Sequence, residues 1–431
     1  MTEQVDDQDS GRGSAVTPPA ALDRRGFVRS AALAAVTPAV LGTTAHAAPL
    51  APSSPAAVPA TVAAAATAAP AAAPGAAAAA ARGMVARLLA VPPPSRGTPW
   101  LRQALQVAVE LELATIPPYL CAWWSVRDRS ATVARLLRGI VTDEMFHMGL
   151  ACNMLVAVGG RPRIASVTPD YPCHLPGGVR SELTVSLSGL TRPYVRDVLM
   201  AIETPESPRP EPSTGPPTIG DFYNGVVAAF LEHRPELSVR GQLGQRIGPD
   251  ELRPMRTLDD VVAAIEIIKE QGEGSASSPA APVGEATGAN RDLAHYYAFA
   301  EIYHGRTLRE TDGQWEFSGP PIPFPEVHPM GVVPRGGWPH PPREAAALLR
   351  RFDTAYGGLL RDLEAAWSSG DHGALNRAVR TMGHLEEPAL ALMEIPLGDG
   401  RHTYGPQFRP LAPAGAQPPA VPITGPPGRR P

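Results

Sequence analysis

Between residues 98 and 310 apolar side chains recur every three or four positions, the period of helices that bury one face. Leu101, Leu105, Ala108, Glu112, Thr115 and Tyr119 fall on one line of a helix from about Trp100 to Tyr119. Pro117-Pro118 is expected to kink or end it. A second helix spans about Ala131 to Val158, with Leu137, Ile140, Val141, Glu144, Met148, Ala151 and Leu155 on its buried side. Gly159-Gly160 supplies its exit. Residues 161–217 interrupt the pattern with proline and glycine. Within them ELTVSL reads as a short extended segment, and RPYVRDVLMAIETPE as a short helix ending before Pro205. Two helices follow with threonine caps, one after Thr218 and one after Thr257, the latter with Val261, Ile265 and Ile268 as its stripe. In ANRDLAHYYAFAEIYHGRTL, Ala294, Tyr297, Glu301 and His304 are assigned to one face and His295 to another. A proline-rich loop spans 311–342, and residues 343–408 hold two amphipathic helices. The pattern predicts an all-α chain: a four-helix bundle with an irregular insert and two additional C-terminal helices packed on it.

Charged residues on the buried stripes change the picture. Glu112 lies in line with apolar neighbours, where a bare carboxylate is costly without a partner. Glu144 and His147 stand three residues apart, and so do Glu301 and His304, so each pair shares a helix face. Of eleven histidines these are the two with a Glu three positions before them. A bundle that offers such a pair from each of two helices and one Glu from each of the other two can hold two iron or manganese ions. The ligand candidates are Glu112, Glu144, His147, Glu273, Glu301 and His304. Glu273 is flanked by Gly272 and Gly274, which would allow close approach; Glu270 is the alternative on that helix. Either Glu/His pair alone also reads as a satisfied hydrogen-bonded pair. Tyr119, Tyr296, Tyr297 and Tyr303 could support the ligands or serve as ordinary core.

The N-terminus adds a destination. Arg24-Arg25, then Phe27, a short apolar run broken by Pro38, and Ala45-His46-Ala47 form a twin-arginine export signal over residues 1–47. That route carries folded proteins, which suits a metal acquired in the cytoplasm. Residues 48–97 form an Ala/Pro-rich linker with a short helix, and residues 409–431 a disordered tail. About 320 residues remain for folding. A net charge of −4 argues against a nucleic-acid partner. Cys121, Cys152 and Cys173 are too few and too scattered for a disulfide framework or a zinc site, although export leaves one pairing open.

The segments LELATIPPYLCAWWS, IVTDEMFHMGLACNMLVAVGGRPRI, YPCHLPGGV, TIGDFYNGV, IIKEQGEGS and AHYYAFAEIYHGR resemble the ferritin-like domain found in the iminophenylpyruvate dimer synthase of violacein biosynthesis and in many bacterial proteins. The resemblance runs from about Thr98 to Phe408, with the ferritin-like bundle over 98–310. It implies a ferritin-like fold and, for the named synthase, oxidative coupling of an imine made from an amino acid. This chain lacks that enzyme's long N-terminal portion and carries an export signal, so the ligand positions transfer better than the reaction. The expected function is an exported di-iron (or manganese) oxidoreductase acting on a small organic substrate with dioxygen or peroxide. The alternatives are a metal-binding or storage protein and a non-catalytic scaffold of the cell envelope. The expected partners are a small molecule, no nucleic acid, no transmembrane span in the mature chain, and, left open, a second copy of the chain.

Overall fold

The computed structural model describes residues 83–205, 217–274, 279 and 293–411. The expected export signal, the expected linker up to residue 82 and the expected tail from residue 412 lie outside the described residues. The short helix expected at the end of the linker is α1, Met84–Ala90. The bundle is built on α2, Thr98–Ser125, packed against α3, Thr132–Ala157. A helical stretch follows in three consecutive parts, Arg192–Tyr194, Val195–Leu199 and Met200–Ile202, together α4. Its middle part has π-helical hydrogen bonding, a widening that often marks a functional site. Next come α5, Ile219–His233, and α6, Leu258–Gly272. Both begin at capping boxes, Thr218 with Asp221 and Thr257 with Asp260, so the threonine signals fix both starts. The last bundle helix is α7, His295–His304. It packs on α3, α4 and α6. The C-terminal pair is α8, Arg343–Ser369, against α9, His372–Met393. No helix among the described residues is long and apolar enough to cross a membrane.

Two small antiparallel hairpins interrupt the helical chain, Gln245–Ile247 with Asp250–Leu252 and Arg309–Thr311 with Gln314–Glu316. The second turns on Asp312-Gly313, both at positive φ (52° and 76°), as a two-residue hairpin turn requires. It occupies the start of the stretch read as a proline-rich loop.

The largest departure from the expected pattern is α2. It does not end at Pro117 and Pro118 but continues to Ser125, and it is buried nearly all round. Pro118 has no N–H for the carbonyl of Ala114, four residues earlier. The Tyr171 hydroxyl, from the insert, donates to that carbonyl at 2.7 Å. A side chain from another part of the chain thus replaces the missing helical bond. α3 does stop where its glycines predict, with Gly159 at φ 72°.

A second polar tie fastens the C-terminal pair. Asn153 on α3 donates to the Leu243 carbonyl at 2.8 Å and accepts from the Leu243 amide and the Trp367 indole of α8, each at 2.9 Å. On the same helix Glu364 accepts the Ile164 and Ala165 amides of the insert. The three cysteines are free. Cys121 and Cys152 are buried, and burial pushes both thiols up, as core residues rather than reactive ones. Removing the Tyr171 hydroxyl leaves the Ala114 carbonyl buried without a donor. Tyr171→Phe is therefore expected to lower stability by about 1–3 kcal/mol in urea unfolding; an unchanged midpoint would show that the carbonyl does not need this bond.

Candidate metal centre

Three of the expected ligands meet in the middle of the bundle. Glu112 comes from α2 and Glu144 and His147 from α3, with ligand atoms close enough to hold one ion. All three are buried. Two further residues complete a second group around the same Glu144: Glu203, just past α4, and His295, the first residue of α7. Glu144 is shared, so the two groups form one paired centre.

Both imidazoles turn the same atom inward. His147 Nε2–H donates to Gln271 Oε1 at 2.7 Å, leaving Nδ1 facing Glu112 Oε2 at 3.8 Å and Glu144 Oε1 at 3.9 Å. His295 Nε2–H donates to Asp143 Oδ2 at 3.3 Å, and its Nδ1 faces Glu144 Oε1 at 2.9 Å and Glu203 Oε1 at 3.8 Å. That 2.9 Å approach is out of line for a hydrogen bond, and Nδ1 is buried with no hydrogen-bond partner. The carboxylates are also held from outside. The Tyr223 hydroxyl donates to Glu112, the Tyr119 hydroxyl to Glu203, and the Thr115 hydroxyl to Glu144. Gly272 completes the packing: a Cβ there would come within 3.2 Å of Glu203 Oε2.

The electrostatics follow from crowding acids in a dry core. Burial, then the neighbouring Glu144 charge, pushes the Glu112 carboxyl well above its usual range. Burial also raises Glu203, but His295 and the Tyr119 hydroxyl outweigh it and hold this carboxyl below the ordinary value. Burial would lower His295; Asp143, Glu144 and Glu203 together raise it well above the usual imidazole range. Burial dominates at His147 and lowers it. Of the two imidazoles, His295 is therefore the one these acids favour in its protonated form. Three carboxylates and two inward-facing Nδ1 atoms around a shared glutamate are a hard oxygen and nitrogen donor set, which suits iron or manganese.

The remaining candidates divide. Glu273 lines the same cavity, with Oε1 3.6 Å from the Arg180 guanidinium, whereas Glu270 is half-buried and does not line it. Arg180 also donates to the Thr204 carbonyl, so Glu273 faces a guanidinium held in place beside Glu203. Glu301 and His304 are not brought to the centre. Glu301 accepts the Leu308 amide at 2.6 Å, and His304 is exposed and stacked on Phe317 at 4.2 Å. The cause is the phase of α7. At 100° per residue, His304 lies about 180° and Glu301 about 240° around the helix from His295. His295, Ala298, Phe299 and Ile302 form the buried stripe that faces the bundle; Glu301 is buried too, but on another side of α7, and of the expected face Tyr297 is half-buried and His304 exposed. The reading that placed His295 off the site is corrected by that stripe. Tyr119 supports the centre; Tyr296 and Tyr297 pack edge-on against each other.

The cavity at the centre has a volume of about 40 Å³. That is room for ions and a few water-sized molecules, far below the roughly 300–1,000 Å³ of organic-ligand pockets. Its apolar wall is Leu111, Leu175, Ile202, Ile219 and Ile268. A larger cleft of about 1180 Å³, lined by Gln106, Val107 and Glu110, lies on the far side of α2. Glu110 and Glu112 point about 200° apart, so the helix separates the two spaces.

Comparison with known proteins agrees with this architecture. Residues 105–304 match the family model described as Ferritin-like. A crystal structure of a ferritin like protein from Caulobacter vibrioides is similar in fold, with a TM-score of 0.52 at 23% sequence identity, covering 72% of this chain and 97% of that one. No curated protein matches the chain. Residues 105–304 thus have a ferritin-like fold, and all five clustered residues lie inside that span.

Glu112→Gln is expected to stabilise the protein stripped of metal, by on the order of 1 kcal/mol at pH 8. The sign follows from the raised Glu112 carboxyl. The stability it contributes is present below its unfolded value, 4.5, and is lost as pH rises through the folded value. The gain should therefore vanish toward pH 4. Urea unfolding in a chelator at both pH values would read it, and an equal effect at the two would contradict the assignment.

Proposed function

We propose that this chain is an exported ferritin-like metalloprotein whose centre holds two iron ions, with manganese the substitute, and that it works as an oxidoreductase with dioxygen or peroxide. The observation that carries this reading is the sharing of Glu144 between the Glu112/His147 group and the Glu203/His295 group. Glu112, Glu144 and His147 would hold one ion, and Glu144, Glu203 and His295 the other. A redox-active pair so held would pass electrons from the organic substrate to dioxygen or peroxide. The protein's own part is to keep both Nδ1 atoms aimed inward through Gln271 and Asp143, and to fix the carboxylates through Tyr223, Tyr119 and Thr115. The apolar part of the wall lowers the polarity around the donors.

The substrate we propose is a small organic molecule that meets the centre at this apolar rim, since a 40 Å³ cavity cannot enclose one. Oxidative coupling of an amino-acid imine, as in the synthase the sequence resembles, is one reaction of that kind. Export would separate this chain from cytoplasmic indolic intermediates and favours another substrate. The same small volume supports a second reading, a protein that binds metal without organic turnover. Convergence of five buried ligands speaks against a metal-free scaffold.

Metal analysis of protein purified after cytoplasmic expression tests the centre. About two equivalents of iron or manganese are expected in the parent, with a large loss in Glu144→Ala and in His295→Ala. Glu301→Ala should keep its metal. A metal-free, normally folded parent would end the proposal.

A further inference from the structure

The two halves of the centre match part for part except at one position. Each half has a glutamate that accepts a tyrosine hydroxyl, Glu112 from Tyr223 and Glu203 from Tyr119. Each has a histidine that presents Nδ1 inward and is held from behind through Nε2. Glu144 belongs to both. The difference is what holds the imidazole: a neutral amide, Gln271, behind His147, and a carboxylate, Asp143, behind His295.

We infer that the two half-sites are unequal, that the Glu144–Glu203–His295 half takes up the first divalent cation, and that Asp143 sets this order without touching the ion. This rests on the proposed metal centre. A carboxylate accepting the outer N–H of a ligating histidine fixes the ring and raises its basicity more than an amide does. Once the histidines and glutamates are deprotonated, as ligands to an ion must be, Asp143 also leaves this half with one more negative charge than the other. Asp143 sits beside Glu144 in sequence, so α3 supplies both the shared ligand and the outer partner. Its side chain is a quarter exposed, and solvent screening moderates its effect without removing it. Asp143 is thus a positioning residue. Of the other charged groups on the cavity wall, Glu273 faces the Arg180 guanidinium and Lys269 donates to Asn224 at 2.6 Å, so both are turned to partners outside the two half-sites.

Manganese(II) titration of the full chain, stripped of metal and followed by electron paramagnetic resonance with a competing chelator, tests the order. The parent should bind two ions in two steps. Asp143→Asn should weaken the first step about 10–100-fold and leave the second nearly unchanged. Gln271→Glu should tighten the second step and bring the two together. This second variant keeps the test decisive if Asp143→Asn folds poorly. Two ions bound in a single step by the parent, or equal loss in both steps on Asp143→Asn, would overturn the order while leaving the metal centre standing. A parent that takes up no ion would overturn both.

Discussion

Three glutamates brought together in a core from which water is excluded are the constraint around which the rest of this bundle is arranged. Glu112, Glu144 and Glu203 are each buried, and their mutual repulsion is not screened by solvent. Such a group persists only where positive charge and hydrogen-bond donors surround it. Here three hydroxyls donate to the carboxylates, and a raised imidazole, His295, carries the charge. A divalent cation would take over the role of that proton more effectively, and its binding would release the proton.

The backbone serves the same end. α2 must continue past Pro117-Pro118 to carry Tyr119 against Glu203, and it does so because Tyr171 from the insert replaces the lost helical bond. Gly272 leaves the space that lets Glu203 approach α6. The π-helical turn at Val195–Leu199 comes directly before the turn leading to Glu203, and such turns rephase the residues that follow them. The insert is therefore structural to the centre: it supplies Tyr171 and Glu203, and Arg180 beside Glu273.

What could be read from the sequence was whatever depends on local periodicity. The helices with long apolar stripes, both threonine caps and the Glu112, Glu144 and His147 set are visible as single-helix patterns. Glu203 was hidden because it lies after a short helix inside a proline-rich insert, where no long period marks it; its four-residue spacing from the buried Leu199 was the available signal. His295 was hidden by a competing pattern. Glu301-x-x-His304 has the spacing of a ligand pair, but α7 starts at His295, and the run His295, Ala298, Phe299, Ile302 fits a buried stripe better than the one containing Glu301. The spacing of two residues fixes their relation to each other, not which way the helix faces. Continuity through the double proline was illegible for a different reason: the hydroxyl that permits it comes from a residue more than fifty positions away. The Asp312-Gly313 hairpin, by contrast, carried an ordinary turn signal inside a stretch dismissed for its prolines.

The volume of the cavity limits what chemistry this centre can support. At about 40 Å³ it accommodates ions and small diatomic or water-sized molecules, while the spacious cleft lies behind α2. An organic molecule reaching the donors would have to do so past Leu111, Leu175, Ile202, Ile219 and Ile268. Three of these lie close to a donor or its outer partner: Leu111 is adjacent to Glu112, Ile202 to Glu203, and Ile268 is one turn from Gln271. A change that widened the rim would therefore also move a ligand or its outer partner. Access and donor geometry are mechanically coupled in this fold, so widening the rim for a bulkier molecule would act on the same side chains proposed to hold the ions.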